Sequence, residues 1–363
     1  MLRKNFAQSS CSDNKDIIPM HIIRIKPIGI TLLATLRCTA ACDNCCFGCH
    51  PKQGRTMTFE EMKDYVDKSL EAYPDSIQKF GLTGGECMLL GKDVDKIIAY
   101  AKSKGLACNL ISNAFWATDY DKAYRTLKRL KGKGLVSISF STGEDHNKYV
   151  PWMNVRHAAV AAARLGLATD LRIENQIMGQ MTVSRGLYSD VEVMELVAQK
   201  KLVLTTSPWM EYANKGKKSR AHKVVLRNDD KKESCHSLFQ NIIINPYGEV
   251  YACCGIGVCH IPQMRLGNIH QEPIKTIYER AFDDFLKVWL YMDGPQAVLK
   301  FVKEKTGQKF PWHTTHLCDI CRVIFTDKTI LPTIRRHIFD AMFFPLISYN
   351  SIAELENERR TKR

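Results

Sequence analysis

The chain lacks several features that would each fix a function class. No run of about 18 apolar residues is present, so no membrane-spanning helix is expected. The opening stretch, MLRKNFAQSSCSDNKD, has no apolar segment of the secretory type, and a cytoplasmic location is expected. No internal repeat is apparent. Basic and aromatic residues are not interleaved in the manner of RNA-binding surfaces, so neither nucleic acid nor membrane is expected as a partner. Negative charge is in deficit: 38 acidic residues stand against 52 basic ones, a formal charge of +14. Such a surface suits an acidic peptide, a nucleic acid or a membrane face, or is simply solvated.

Cysteine, by contrast, is abundant, with 14 in 363 residues. A disulfide scaffold does not fit, because such frameworks belong to short secreted chains. Adjacent pairs such as Cys45-Cys46 and Cys253-Cys254 also rarely bridge each other. Metal or cluster ligation in a reducing compartment fits better. The strongest concentration is CTAACDNCCFGC, from Cys38 to Cys49. Two overlapping frames there read C-x3-C-x2-C: Cys38, Cys42, Cys45 and Cys42, Cys46, Cys49.

Patterning places these residues. IKPIGITLLATLR reads as a buried strand, and TFEEMKDYVDKSLEAY as an amphipathic helix with Thr58 and Glu61 as its capping box. Alternation continues to LVLTTSP, giving six strands and five intervening helices between about residues 26 and 207. Strict βα alternation implies a parallel sheet with helices outside. Six units suggest an α/β fold, a partial (β/α)6 barrel, whose site lies at the C-terminal strand ends. The expected division is an N-terminal extension over 1–25, the barrel over 26–207, a small cysteine-bearing domain over 208–327, and a helical tail over 328–363. In that tail IRRHIFDAMFFPLI reads as a packing helix with a frayed end.

Three thiolates around a four-iron, four-sulfur cluster leave one iron open, whereas structural zinc sites usually close with four ligands. The cysteine loop follows the first strand, and Gly84, Gly85 and Glu86 form a GGE turn after the second. On these residues the chain resembles the radical S-adenosylmethionine enzymes over roughly residues 26–325. The resemblance implies a [4Fe-4S] cluster on Cys38, Cys42 and Cys45, S-adenosyl-L-methionine chelated to the open iron, and hydrogen abstraction by a 5′-deoxyadenosyl radical. Cys46 and Cys49 are then expected as buried thiols under the loop. The methionine ammonium is assigned to Gly84, Gly85 and Glu86, and further cofactor contacts to Ser112, Asn113, Ser141 and Asn175. His146 also fits a family position. Cys87 stands where a proline is common.

A second set of cysteines follows. Cys235, Gly248 and Cys253 are spaced C-x12-G-x4-C around a hairpin, and Cys318 and Cys321 form a late C-x2-C pair. Four thiols can enclose a further [4Fe-4S] cluster, or a zinc ion. The arrangement resembles the auxiliary-cluster domain of peptide-modifying family members in a short, twitch-type form of SPASM. No cysteine follows Cys321, so one auxiliary cluster is expected. Cys253 and Cys254 can exchange roles at this level of reading. If Cys253 faces the cluster, strand alternation sends Cys254 to the other side.

The combination CDNCCFGCHP, LTGGE, LISNAFW, GEVYACC and the late C-x2-C resembles radical peptide epimerases most closely. That implies a ribosomally synthesised precursor peptide as substrate, an external electron donor, and Cys254 as hydrogen-atom donor, with Cys259 a second candidate. Residues 1–24 are too short for a leader-binding domain of their own. Two departures stand out: the Cys235–Gly248 interval is long, and SLFQN replaces an expected acidic residue. A thioether or carbon–carbon crosslinking enzyme of the same family is the alternative, and a zinc-dependent nucleic-acid-binding protein a remote one.

Overall fold

The structure is a computed structural model that describes residues 22–52, 54–175, 181–208, 233–308 and 316–361. The first 21 residues and most of the charged linker lie outside the described residues. Six strands follow in order: β1 (Gly29–Thr35), β2 (Lys79–Gly84), β3 (Ala107–Ser112), β4 (Leu135–Gly143), β5 (Ala168–Asn175) and β6 (Leu202–Pro208). Each pairs in parallel with its sequence neighbour. Helices cross between them: α1 (Phe59–Ala72), α2 (Lys92–Ser103), α3 (Tyr120–Lys133), then α4 (Glu144–Asn147) with α5 (Trp152–Arg164), and α6 (Thr182–Ser189) with α7 (Val191–Ala198). This is the expected α/β architecture, a parallel sheet of partial-barrel type.

The expected helix count was low. The β4–β5 and β5–β6 crossings each carry two helices instead of one. In the second, Asp190 takes an extended conformation and caps α7 through the Val193 N–H, breaking the helical run. The capping box of α1 is present as read: Thr58 accepts from the Glu61 N–H, and the Glu61 carboxylate accepts from the Thr58 N–H. Such a cap is typically worth about 1 kcal/mol.

The barrel interior mixes small and polar residues with apolar ones such as Leu33, Ile111 and Ile243. On β1, Ile30 and Leu32 are buried beneath the helices, while Thr31 and Leu33 face inward. Gly81, Asn109 and Ser141 face the same space from β2, β3 and β4. Closed eight-stranded barrels fill this volume with bulky branched side chains. Here the short side chains leave a cavity of about 480 Å³.

The rest of the chain adds to the same sheet. β7 (Leu238–Ile244) pairs in parallel with β1, and β8 (Glu249–Cys253) and β9 (Arg265–Asn268) continue antiparallel. The result is one nine-stranded sheet ordered β6-β5-β4-β3-β2-β1-β7-β8-β9. Cys253, at the end of β8, is therefore joined to the barrel through the backbone hydrogen bonds of the sheet. Five helices close the chain: α8 (Ile274–Glu279), α9 (Phe285–Thr306), α10 (Leu317–Thr326), α11 (Ile330–Arg336) and α12 (Ile338–Thr361).

The tail is two helices, the second described through Thr361. Arg360 is buried and donates to the carbonyls of Lys26 and Phe239. Asn350 and Asn357 accept from the N–H groups of Ile23 and Lys26. These bonds satisfy an extended segment before β1 that lacks strand partners there, which holds the last turns helical. Among the described residues, no helix is long and apolar enough to cross a membrane.

Candidate active site

All five thiols of the Cys38–Cys49 loop line the large cavity. Cys46 and Cys49 thus stand on its wall, Cys49 buried and Cys46 partly so. The wall is common to both ligand frames, but the surroundings differ. Cys38 sits against the GGE turn and receives the Asn113 Nδ2–H at 3.6 Å. Cys49 instead supports Cys45: its backbone N–H donates to Cys45 Sγ at 3.2 Å. The Cys49 thiol also bonds to Cys45, and this holds Cys45 down at about 6 while pushing Cys49 far up. Burial pushes Cys38 up to about 11.

The loop is held from outside by α4 and its flanks. The Asp43 N–H donates to Asp145 Oδ2 at 2.6 Å, and Tyr149 OH donates to the Ala41 carbonyl at 2.9 Å. His146 hydrogen-bonds the Cys42 thiol. Its Nδ1 lies 3.0 Å from Glu174 Oε2, an ion-pair contact without hydrogen-bond alignment. Burial alone would depress the imidazole, but Glu174 and Cys42 outweigh it and raise His146 well above its usual value.

The GGE turn explains its glycines sterically. Gly84 has φ 133°, and a Cβ there would lie 2.3 Å from the Thr35 carbonyl oxygen. A Cβ on Gly85 would lie 2.0 Å from the Arg37 carbonyl oxygen. Those carbonyls accept from the N–H groups of Gly85 and Glu86 at 2.7 and 2.9 Å, stitching the end of β2 to the residues before Cys38.

Glu86 is held by the protein itself. Its carboxylate is fully buried and is not part of the cavity wall. It accepts from the Met88 N–H, the Ser112 hydroxyl and the Asn113 N–H at 3.0, 2.9 and 2.7 Å. Burial raises it to about 7, against these three bonds. It is a strut between the ends of β2 and β3. Ser112 is on the wall, but its hydroxyl already donates to Glu86 and accepts from the Ala114 N–H and Trp116 Nε1–H. Asn113 and Ser141 also line the cavity. Asn175 closes β5, and its side chain lies outside the described residues.

Arg172 was missed in the sequence. It lines the cavity from β5 opposite Ser141 of β4, with its Nε donating to Asp170. Strand alternation in TDLRIEN puts Asp170, Arg172 and Glu174 on one face, and that was the available signal. A guanidinium there suits a carboxylate.

The second cysteine set forms its own site. Cys235, Cys253, Cys318 and Cys321 line one small cavity of about 30 Å³, with Leu238, Ile261, Met264 and Leu290 among the apolar residues around them. Gly255 abuts two of the thiols: a Cβ there would meet Cys318 Sγ at 3.0 Å and Cys253 Sγ at 3.4 Å. Cys254 lines the large cavity instead, and is exposed. Cys259 is on neither wall; it hydrogen-bonds Tyr251, and burial pushes it up to about 11. Ile256 and Val258 line both cavities, so the segment from Cys254 to Val258 is a partition between them.

Among the described residues, no three His, Cys, Asp or Glu side chains converge as closely as a single metal ion needs. Thiols distributed around a space suit a polynuclear cluster, which is wider than one ion. The donor sets, three or more thiols in one cavity and four in the other, fit iron–sulfur clusters, and the open remainder of the large cavity fits a cofactor beside the first.

Comparison with known proteins agrees with this geometry. Residues 32–196 match the model of the radical SAM superfamily, and residues 235–296 match the SPASM model, an iron–sulfur cluster-binding domain. A Bacillus subtilis (strain 168) protein named for peptide biosynthesis, YydG, is 22% identical over 297 residues, covering 80% of this chain and 89% of that protein. Two solved structures of native anSMEcpe share the fold. With bound AdoMet, the TM-score is 0.53 at 15% identity, over 87% of this chain and 99% of that one. With AdoMet and Kp18Cys peptide, it is 0.51 at 16% identity over the same shares. The chain is thus a radical SAM protein with a SPASM domain, and its cofactors are iron–sulfur clusters and S-adenosylmethionine.

Proposed function

We propose that this enzyme epimerises L-residues to D-residues in a ribosomally synthesised peptide. A peptide substrate is supported by the kinship with YydG, whose name refers to peptide biosynthesis. Epimerisation is supported by one observation above the others: adjacent cysteines part company, Cys253 toward the four-thiol site and Cys254 into the large cavity.

In this reading Cys38, Cys42 and Cys45 hold the catalytic cluster, and Cys235, Cys253, Cys318 and Cys321 hold the auxiliary one. The bound cluster and S-adenosylmethionine supply a hydrogen-abstracting carbon radical. The protein's own groups do the rest. The Gly84-Gly85 backbone and Arg172 hold the ammonium and carboxylate of the methionine moiety. Glu86 and Ser112 fix that turn without touching the reacting atoms. The wall of small side chains admits a peptide segment. Once the substrate α-hydrogen is removed, the Cys254 S–H breaks and its hydrogen atom bonds to the α-carbon from the other face. The Cys254 sulfur radical then takes one electron from an external donor and one proton from solvent before the next turnover.

The test is turnover in deuterium oxide with a short peptide encoded beside the gene, read by product mass and residue chirality. The expected product carries one deuterium per inverted α-carbon. A product lighter by about two mass units, without α-deuterium, would identify crosslinking with two hydrogen atoms removed. Cys254→Ala should retain cofactor cleavage and lose inversion.

A further inference from the structure

Lys287 is a buried cation that nothing in the barrel chemistry requires. It is 4% exposed, in the first turn of α9. Burying an ammonium is costly unless it is compensated. Its one partner among the described residues is Asp284, which also caps α9 by accepting from the Leu286 N–H. An ammonium has three donors, so Asp284 leaves capacity over.

The surroundings supply the missing anion. Lys287 and Leu290 are three residues apart on α9, and such residues share a helix face. Leu290 lines the four-thiol cavity, and its carbonyl accepts from the Cys235 N–H at 3.1 Å. Helix α10, which carries Cys318 and Cys321, packs on α9. Among the described residues, the cavity wall holds no cation.

We infer that Lys287 is the built-in counter-charge of the auxiliary cluster, placed on the α9 face that walls its cavity through Leu290, to favour the reduced state. Four thiolates make a [4Fe-4S] centre net negative, and one more electron adds to that charge. A fixed positive charge in an apolar shell offsets part of this addition. Charge and hydrogen bonding around the sulfurs are established controls of cluster potential. The Lys287–Asp284 pair is oriented for it, since Asp284 is the more exposed member. This rests on assigning the four thiols to the auxiliary cluster.

The experiment isolates that cluster in a full-length protein whose Cys38, Cys42 and Cys45 are replaced by alanine. Iron content and a reductive titration followed by electron paramagnetic resonance are then measured for Lys287, Lys287→Met and Lys287→Arg. The expected result is a full iron load in all three and a reduced-to-oxidised ratio about tenfold lower for Lys287→Met at fixed potential. For one electron that is a shift of about 59 mV to more negative values. Lys287→Arg should stay near the parent. Loss of iron in Lys287→Met alone would also support the inference, since only charge separates it from the arginine form. An unchanged potential in Lys287→Met, or iron loss in both variants, would overturn it. Cys321→Ala tests the thiol assignment separately: if its iron load is unchanged, the four-thiol reading fails first.

Discussion

Removing the Glu86 carboxylate distinguishes a strut from a direct cofactor contact. Glu86→Ala would leave three buried donors, the Met88 N–H, the Asn113 N–H and the Ser112 hydroxyl, without their acceptor. Hydrogen bonds to charged groups contribute roughly 1.5–3 kcal/mol each, and an orphaned buried donor costs about 1–3 kcal/mol. The three share one carboxylate and are not additive, so the expected loss is about 4 kcal/mol. That is a large fraction of the roughly 5–15 kcal/mol available to a domain. Glu86→Gln keeps the shape and one acceptor oxygen, but its amide N–H₂ must face a donor. Its expected loss is about 2 kcal/mol. Urea unfolding of the anaerobic protein, followed by circular dichroism, reads both values at constant slope. Cofactor affinity, measured on the same samples, should fall for Glu86→Ala in proportion to its instability and stay within about threefold for Glu86→Gln. If instead both variants unfold within about 0.5 kcal/mol of the parent while affinity collapses, the carboxylate reaches the cofactor and the strut argument is wrong.

Burial raises Glu86 from 4.5 to about 7, so the folded state holds its proton more tightly than the unfolded chain. The associated stability is full below about pH 4.5 and is lost as pH rises through 7, at most about 3 kcal/mol. Relative to Glu86→Gln, the parent should therefore lose stability over that window; a flat difference would contradict the burial argument. Gly85→Ala would drive a Cβ to 2.0 Å from the Arg37 carbonyl oxygen, so cofactor cleavage should fall by more than a hundredfold, as measured by 5′-deoxyadenosine release. Cys321→Ala should lower the iron count by about four per chain, while Cys254→Ala should leave it unchanged. Arg360→Ala would orphan the Lys26 and Phe239 carbonyls, and amide exchange should rise first in residues 23–28.

The local patterns were readable because their physics is local. Strand and helix periodicity, the Thr58–Glu61 box and the turn after β2 each depend on a few neighbouring residues. So does the alternation that turns Cys253 and Cys254 to opposite sides. The cysteine spacing identified two thiol sets because a tight loop and a hairpin bring nearby thiols together whatever surrounds them. Other features needed the whole chain. The partners of Glu86 were not legible, because a motif carboxylate looks the same whether it faces a cavity or three buried donors, and the end of β3 supplies two of those donors. Arg172 was passed over because its neighbour on the wall, Ser141, sits on another strand.

Sequence by itself therefore determined the α/β class, the division of the thiols into two sets and the radical SAM and SPASM domains. Tertiary structure alone decided that β7 joins β1 in one nine-stranded sheet, that Arg360 locks the tail beneath the first strand, and that residues 254–258 divide two cavities. Backbone pairing between strands some two hundred residues apart leaves no periodic trace, and the burial of a lysine such as Lys287 is set by how the helices pack around it.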